Sequence, residues 1–359
     1  MIKNFTFFII PLCFLGSDLY YSIGRPTDYI TIIVLTILFL SKKHKSSFFL
    51  TMLMFTILFL SPWLILSVFN GNFMLGIIMT IGLLLIIPSV VEVYSNSDAN
   101  KLSKYIEYTI VILFLTFILQ YLAYYIFDYY VDYTNFFGSY NSRGNNAGLF
   151  RPHGIFQEPN AYSCAMLSLI YIHSKFGIIN KKLIIPAYIS VFLSFSLWAV
   201  LIIPIVFALT NYNSVNYKFL ITFLLLSIFL TYLWNNFQDF FIEFDIVKRI
   251  IFFDEDSSRE ARYGGFSELL KSDYFLSGYG FNSDKFQQFG ANGVIFIIHS
   301  IGIIGVLLLS VFPFIQRVFK IKDLLFIGVL FSSFPLTSYA YFWMTLGLII
   351  YYNKKCAVY

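Results

Sequence analysis

Long apolar runs separated by short polar connections make up most of the chain. Ile30–Leu40, Phe48–Leu66, Ile106–Phe127 and Phe219–Trp234 approach or exceed the about 17–25 apolar residues that one bilayer span requires. These runs lack the apolar and polar alternation that is typical of a membrane β-barrel strand. The pattern therefore predicts an all-α fold, that of a polytopic integral membrane protein.

Hydropathy divides the chain into about twelve transmembrane helices. They are predicted near residues 5–20, 28–41, 48–66, 73–91, 106–127, 159–174, 183–195, 197–210, 219–234, 291–315, 324–339 and 340–352. Met1–Leu15 lacks a small-residue cleavage site, so it is predicted to remain as part of the first span. Two larger outer loops are predicted, at approximately 128–158 and 235–290. With no internal repeat and no separate soluble domain visible, residues 1–359 are predicted to form a single transmembrane domain.

The chain between Leu183 and Leu209 decides the parity of this topology. A single tilted helix there would place Arg317 and Lys355 outside, against the tendency of Lys and Arg to stay on the cytoplasmic side. Two short helices that turn near Ser194–Ser196 restore the expected orientation. We therefore expect two helices here and both termini in the cytoplasm.

The basic residues divide by type as well as by side. Hydrophobic residues make up 58% of the chain and charged residues 12%, whereas ordinary soluble domains carry roughly 25% charge. On the predicted topology Arg317 is the only cytoplasmic Arg, and the other six of the seven Arg lie outside. Orientation needs only positive charge. The outer Arg excess therefore favours a role for their planar donor groups, which match phosphate and carboxylate oxygens.

The cysteines do not form a recognisable framework. Cys13 and Cys164 fall in apolar segments and Cys356 lies in the tail, so neither a disulfide framework nor a zinc site is predicted.

A charged stretch, RPHGIFQEPN, begins at Arg151 where the first long loop meets a predicted span. Pro159 suits the first turn of a helix, and Gly154 permits tight backbone geometry. Arg151 and Glu158 would then face the outer membrane boundary. An ion pair or cap that stabilises a re-entrant loop and a catalytic site both remain open, and His153 alone is more typical of a loop histidine than of a base.

The second long loop contains Ser-Arg-Glu-Ala-Arg, in which Arg259 and Arg262 share a face if the segment is helical. Pairing with Glu255 and Glu260 would make this a solvated charged face. The functional alternative is a clamp of two Arg on an anionic group such as a leaving phosphate.

Two weaker features follow along the chain. An amphipathic helix on the membrane surface is predicted around Leu269, and Gly278 and Gly280 predict a turn after it. His299 lies inside an apolar helix, where ionisable groups are candidate functional residues. A neutral His bonded to a neighbouring helix is the favoured interpretation there.

The order and predicted side of these features resemble the bacterial O-antigen polymerase and ligase superfamily, which comprises the Wzy-type polymerases and the related O-antigen ligases. The resemblance rests on the stretch from Arg151 to Pro159-Asn160, on Ser-Arg-x-x-Arg at Arg259, on the later Gly-x-Gly, and on a span that opens with Asn292 and carries Gly-x-x-Gly. It extends over the architecture of the whole chain, with motif similarity at about 143–165 and 257–305.

The resemblance implies an enzyme, a metal-independent glycosyltransferase without a cofactor. As a polymerase it would move a growing glycan from one undecaprenyl pyrophosphate carrier onto the repeat unit on another, in lipopolysaccharide O-antigen biosynthesis. Its active site would face the periplasm from the bacterial inner membrane. The implied partners are the undecaprenyl-pyrophosphate-linked oligosaccharide, membrane lipid and a chain-length regulator protein, and no nucleic acid.

One departure from the family pattern favours a polymerase over a ligase. Ligases of this family carry a His-Asn pair shortly before the Gly-x-x-Gly, which is aligned here with Gly302–Gly305. Asn292 matches the Asn, but Ala291 stands at the His position and His299 is not its equivalent. The resemblance therefore leaves the general base unassigned.

The resemblance also suggests roles for the charged residues. Arg259 and Arg262 would hold the donor pyrophosphate, with Arg151 as a third contact. Glu158 is the first candidate for the general base and His153 the second; Glu158 can serve only if apolar surroundings raise its pKa, a rise that a neighbouring Arg would oppose. The candidate glycan contacts are Tyr133, Phe137, Asn160 and Asn292.

Three alternative functions remain open. An O-antigen ligase would transfer the same glycan to the lipid A core. A capsule or exopolysaccharide polymerase would use the same chemistry on a different repeat unit. A lipid-linked oligosaccharide flippase or transporter should carry buried cations along several spans and a two-fold repeat, whereas charge here is concentrated in the two outer loops.

Overall fold

The computed structural model describes residues 2–16, 25–41, 47–72, 74–95, 97–133, 150–176, 180–194, 196–211, 265–281, 293–316, 319–333 and 339–357. Over these ranges the chain is all-helical and forms no strand, as the apolar pattern predicts. The helices are α1 (Ile2–Leu15), α2 (Pro26–Leu40), α3 (Ser47–Phe69), α4 (Met74–Tyr94), α5 (Ala99–Phe127), α6 (Pro159–Lys175), α7 (Lys181–Leu193), α8 (Leu197–Asn211), α9 (Phe266–Lys271), α10 (Tyr274–Ser277), α11 (Gly293–Gln316), α12 (Ile321–Phe331) and α13 (Ala340–Ala357).

The predicted segment 219–234 lies outside the described residues, and each of the other predicted segments overlaps a helix. Two of them differ clearly in extent. Helix α5 begins at Ala99 rather than at 106, because the Asp98 carboxylate accepts a hydrogen bond from the backbone N–H of Asn100 (2.9 Å) and caps the helix. Helix α12 ends at Phe331 rather than at 339, and Ser332 forms its C-cap.

The predicted interruption near Ser194–Ser196 is present. Helix α7 ends at Leu193 and α8 begins at Leu197. The hydroxyl of Ser196 accepts a hydrogen bond from the backbone N–H of Ala199 (3.4 Å), which satisfies a donor in the first turn of α8. The serines therefore supply the polar groups that a chain break inside a buried bundle requires.

Helix α6 lies at the centre of the bundle. Every residue from Pro159 to His173 is buried. The helix packs against α5, α7, α8 and α13. The residues at the two ends of α6 are thus positioned by the four helices that pack around it.

Hydrogen bonds between helix ends define two layers of the bundle. In one layer the Thr27 hydroxyl at the start of α2 donates to the carbonyl of Gly16 at the end of α1 (2.5 Å), and the backbone N–H of Ala340 donates to Asp28 (3.2 Å). In the other, the Tyr94 hydroxyl at the end of α4 donates to the Thr6 carbonyl near the start of α1 (2.6 Å). Consecutive long helices therefore run up and down between the layers.

The basic residues divide between these layers. We call the first layer the Arg face; its described basic residues are Arg25, Arg151 and Lys271. We call the second the Lys face; its described basic residues are Lys101, Lys104, Lys175, Lys182, Lys320, Lys322, Lys354 and Lys355.

Large apolar side chains cover much of the exterior between the two faces. On α2, Ile33 and Ile37 are 55% and 59% exposed, and on α5, Leu115 and Leu119 are 51% and 58% exposed. Among the described helices, α5 is the one that is long and apolar enough to cross a membrane by length and composition, with 29 residues. The remaining apolar stretches counted within described helices are 10–17 residues long.

Candidate functional site

The segment from Phe150 to Glu158, called here the 150–158 segment, leads directly into the first turn of α6 on the Arg face. One side chain of α5 holds it. The side-chain oxygen of Gln120 accepts hydrogen bonds from the backbone N–H groups of His153 (2.7 Å) and Gly154 (2.8 Å). The Gln120 amide also donates to the carbonyl of Val131 (2.9 Å), so it joins both ends of the first loop to α5.

Gly154 makes the tight turn that this clamp requires. Its φ is +57°, in the left-handed region that residues with a Cβ rarely adopt. A Cβ at this position would lie 3.0 Å from the Thr116 hydroxyl and 3.5 Å from the backbone nitrogen of Phe117. Glycine therefore lets the segment lie directly against α5.

Aromatic rings fix the start of the segment. The Phe150 ring packs against Tyr124 with centroids 4.4 Å apart and against Tyr130 at 5.2 Å. The Tyr125 hydroxyl donates to the Phe150 carbonyl (2.8 Å). The aromatic end of α5 is thus in direct contact with the residue that precedes Arg151.

The two charged candidates stand at opposite ends of the segment and differ from their neighbours in exposure. Arg151 and Glu158 are each partly exposed, whereas residues 152 to 156 are buried. Glu158 occupies the N-cap position of α6, with an extended backbone (φ −134°, ψ 143°). An Arg and a carboxylate that reach the surface from a fixed backbone can act on a charged ligand and on a proton, respectively.

His153 is buried, with 0% of its surface exposed. Burial lowers the pKa of His153 to about 4, and hydrogen bonds with the backbone of Phe156 and Gly154 act in the opposite direction. Such an imidazole is neutral near pH 7 and is a weak proton acceptor there. The arrangement therefore favours Glu158 over His153 as a group that can accept a proton at the surface.

Asn160, a predicted glycan contact, is buried inside the bundle. Its amide nitrogen donates to the hydroxyl of Ser333 (2.9 Å), and its amide oxygen accepts from Ser196 (3.4 Å). The Cys164 thiol also donates to Ser333 (3.3 Å). These bonds connect α6 to α8 and to the end of α12. In this conformation the Asn160 amide therefore forms hydrogen bonds within the protein rather than with a ligand.

Tyr133 is partly buried and packs against the main core rather than standing free in solvent. The remaining predicted site residues lie outside the described residues: Arg259, Arg262, Phe137 and Asn292.

A second arrangement on the Arg face was only partly foreseen. The residues after α10 cross α11, where the backbone N–H of Tyr279 donates to the His299 carbonyl (2.7 Å) and that of Gly280 donates to the Ser300 carbonyl (3.0 Å). At this point Gly302 interrupts α11 with φ +67°. The predicted turn at Gly278 and Gly280 is therefore a close backbone contact with a helix.

Helix α3 holds the same crossing from its other side. The Trp63 indole donates to the Ser277 carbonyl (2.7 Å), and Asn70 donates to the Tyr279 carbonyl (2.8 Å). Asn72 donates to the Phe281 carbonyl (2.9 Å). The segment that follows the predicted Arg clamp is thus fixed to α11, to α3 and to the residues just after α3, and Trp63, Asn70 and Asn72 gave no signal of this in the sequence.

His299 is buried in α11, and its ring packs against Tyr274 (6.0 Å) and Tyr279 (5.8 Å). These neighbours belong to the α10 region, so the aromatic contacts of His299 lie within this crossing.

No candidate metal site occurs among the described residues, which contain no group of three or more His, Cys, Asp or Glu that could hold a metal ion. Asp254 and Asp256 have Asp-x-Asp spacing close to Arg259 and lie outside the described residues. The expectation of a metal-independent reaction therefore stays a prediction, and it needs a chelation test.

Comparison with known proteins found no match: not among protein-family models, not among curated proteins and not among solved structures.

Proposed function

We propose that this chain is a polytopic inner-membrane glycan polymerase that uses undecaprenyl-pyrophosphate-linked donors. The observation that carries the proposal is the 150–158 segment. A buried clamp fixes its backbone, and it presents a partly exposed Arg151 and Glu158 at the start of the central helix. A site that must bind a pyrophosphate and accept a proton needs these two side-chain types on a rigid support.

The exterior of the bundle supports membrane insertion. Soluble monomers rarely expose contiguous apolar patches larger than a few hundred Å². On α7 and α8, large apolar side chains also face outward; Ile189 and Phe192 of α7 are 51% and 54% exposed, and Ile205 of α8 is 43% exposed. Lipid is the environment in which such a surface is stable.

The division of the basic residues supports the orientation. Lys and Arg are enriched on the cytoplasmic side of membrane proteins. On this proposal the Lys face is cytoplasmic, and the Arg face, with the 150–158 segment, is periplasmic. Both termini then lie in the cytoplasm, since α1 begins and α13 ends on the Lys face.

In the proposed reaction a hydroxyl of the acceptor repeat unit attacks the anomeric carbon of the donor glycan. A new glycosidic C–O bond forms while the bond between that carbon and the pyrophosphate oxygen breaks. Glu158 takes the hydroxyl proton, and Arg259, Arg262 and Arg151 balance the charge of the departing lipid pyrophosphate. The products are the elongated glycan on the acceptor lipid and free undecaprenyl pyrophosphate.

The test begins with lipopolysaccharide banding on a gel from a strain deleted for the gene, with and without the wild-type copy. A core that bears a single repeat identifies a polymerase. Bare core with accumulating lipid-linked polymer identifies the ligase instead. An unchanged ladder argues against both and leads to the analysis of capsule, exopolysaccharide and then transport of the lipid-linked unit.

Arg259→Ala and Arg262→Ala should abolish long chains while the protein still accumulates in the membrane. Lys271→Ala is the matched control, because Lys271 is an exposed cation of the same loop without a proposed contact. Normal chain lengths in the Arg variants would overturn the clamp. Loss of activity with a chelator, restored by Mg²⁺ but not in Asp254→Asn, would replace the metal-independent mechanism.

A further inference from the structure

A buried polar network on the Lys face surrounds Asp323, which is 0% exposed at the start of α12. From α6, the Tyr171 hydroxyl (2.6 Å) and the Lys175 ammonium (2.5 Å) both contact one carboxylate oxygen. The other oxygen accepts from the Asn353 amide of α13 (2.7 Å) and from the backbone N–H of Lys320 (2.9 Å). One carboxylate thus joins the starting turn of α12 to the final turns of two other helices.

The same short helix is bonded to α6 at its opposite end. There the Ser333 hydroxyl accepts a hydrogen bond from Asn160 and one from the Cys164 thiol (2.9 and 3.3 Å). Asp323 and Ser333 are separated by ten residues in the sequence. Asn160 and Tyr171 are separated by eleven. At 1.5 Å per residue these spacings are about 15 Å and about 16.5 Å, so two antiparallel helices can be bonded at both ends with little mismatch.

Ring packing fills the space between these two attachments. The Tyr171 ring stacks on Phe326 of α12 with centroids 3.9 Å apart and an interplanar angle of 10°. The Phe326 side chain is completely buried. Close-packed interiors have low compressibility, so a displacement of α12 near Asp323 also displaces its other end near Ser333.

We propose that Asp323 is a positioning residue, which acts through α12 to hold the start of α6 and the attached 150–158 segment. Its assignment to catalysis rests on the proposed function, since that segment carries the proposed base. The structural part of the proposal does not rest on that function, because it concerns only how the two attachments of α12, at Asp323 and at Ser333, hold α6; we call these two attachments the brace.

The alternative is that the network stabilises the Lys face alone. Helix α6 has another attachment in this region: the His173 ring lies 2.9 Å from the Glu107 carboxylate of α5. If this contact and the core suffice to hold α6, breaking the Asp323 network would loosen only the nearby turns.

Amide hydrogen exchange on the purified full chain separates these readings without any glycan. Asp323→Asn removes the charge that pairs with Lys175, and Tyr171→Phe removes one hydroxyl donor with little change in volume. Tyr94→Phe is the matched control, because it removes a similar tyrosine hydroxyl bond on the Lys face, and that bond joins α4 to α1 rather than to α6.

We expect amide exchange in residues 150–162 to accelerate by about tenfold in Asp323→Asn and by about threefold in Tyr171→Phe. The Tyr94→Phe control should leave these amides unchanged. Ser333→Ala, which breaks the other end of the brace, should produce the same acceleration. The double variant Asp323→Asn/Ser333→Ala should exchange little faster than either single variant, because both changes release the same connection between α12 and α6.

Acceleration confined to the turns around Tyr171 and Asp323 would overturn the proposal, and so would a uniform acceleration over the whole chain. If Asp323→Asn does not fold, Tyr171→Phe and Ser333→Ala provide the same comparison. In an assay with lipid-linked glycan, the brace variants should lower kcat more than they raise KM. An absent activity in the wild type would contradict the proposed function and leave the exchange result valid.

Discussion

At the scale of single residues, the Gln120 side chain holds the candidate site through three hydrogen bonds. It is fully buried, and one amide group bonds to three backbone groups of the first loop. A buried backbone N–H or carbonyl that loses its partner costs about 1–3 kcal/mol. The conformation of the 150–158 segment thus depends on a residue of α5 that has no chemistry of its own.

Gln120→Leu should therefore lower the free energy of unfolding by about 3 kcal/mol and expose the amides of His153 and Gly154 to exchange. Gln120→Glu should cost less only with its carboxyl group protonated, because the neutral acid can accept both N–H bonds and donate its O–H to the Val131 carbonyl, whereas a buried anion would face that carbonyl. Thermal unfolding and hydrogen exchange of the purified variants check this. Equal stability of the Leu variant and wild type would mean that the segment does not need the clamp.

A second residue-scale prediction concerns pH and His153. The pKa of His153 is about 4 in the folded chain, below its ordinary value of 6.5, because the imidazole is buried. Between these two values the unfolded chain binds a proton that the folded chain does not. The stabilising contribution is therefore complete above pH 6.5 and is lost as the pH falls, by about 3 kcal/mol at pH 4.

His153→Gln, which cannot titrate, should flatten the fall in unfolding temperature between about pH 7 and about pH 5. Other groups titrate in this window in both proteins, so the difference between wild type and variant isolates His153. Parallel curves for the two proteins would show that His153 does not resist protonation.

At the scale of elements, glycines decide where helices can approach. A Cβ on Gly302 would lie 2.2 Å from the Leu276 carbonyl, and one on Gly278 would lie 2.6 Å from the Ser300 carbonyl. These are backbone atoms, so the clash cannot be relieved by a side-chain rotation. The crossing of α11 by the residues after α10 therefore exists only with glycine at these positions.

Gly302→Ala should destabilise the protein by about 3 kcal/mol, through the clash and through its φ of +67°. Gly328→Ala is the control within α12, where an added Cβ meets nothing within 4 Å. That variant should gain about 0.5–1 kcal/mol, because alanine is the better helix former. Unfolding temperatures of the two variants should thus move in opposite directions, and a tolerated Gly302→Ala would contradict the crossing.

At the scale of the whole molecule, the layers and the proposed orientation can be tested with a native cysteine. Cys356 is exposed at the end of α13, whereas Cys13 and Cys164 are buried. On the proposed orientation Cys356 is cytoplasmic, and the partly exposed Ser272 lies on the periplasmic Arg face.

A membrane-impermeant maleimide applied to spheroplasts should therefore leave the wild type unlabelled until the membrane is permeabilised. Ser272→Cys in a Cys356→Ser background should label at once in intact spheroplasts. Labelling of both positions from one side would rule out the alternation of the helices between the two faces. The reversed pattern would keep the two faces and invert the orientation.

Helix positions were largely predictable because apolar runs and breaks are local properties of the sequence. The break between α7 and α8 followed from charge parity, and the start of α6 followed from Pro159. The extent of α12 did not follow, because the apolar pattern continues past Phe331 while the serines after it bond to neighbouring helices. Those bonds are made only when distant segments meet.

The candidate site also contains features that the local sequence predicts and features that it does not. Arg151, Glu158 and Gly154 stand out locally as charge and a turn in an apolar context; Gly154 has the expected tight backbone geometry, and Arg151 and Glu158 are partly exposed, while their roles stay predictions. Asn160 was expected to contact glycan and is instead bonded within the bundle. Gln120 could not be found, because nothing in its own neighbourhood distinguishes a clamp from an ordinary polar residue in a helix.

The sequence by itself determined the all-helical class, the positions of most helices and the unequal distribution of Arg and Lys, since each depends on residue type and short-range spacing. Only the tertiary structure decided which polar groups are shared between helices. Asp323 with α6 and α13, and Gln120 with the 150–158 segment, are contacts between residues at least 30 positions apart. Their existence depends on burial, where a polar group without a partner is costly, and burial is a property of the assembled bundle.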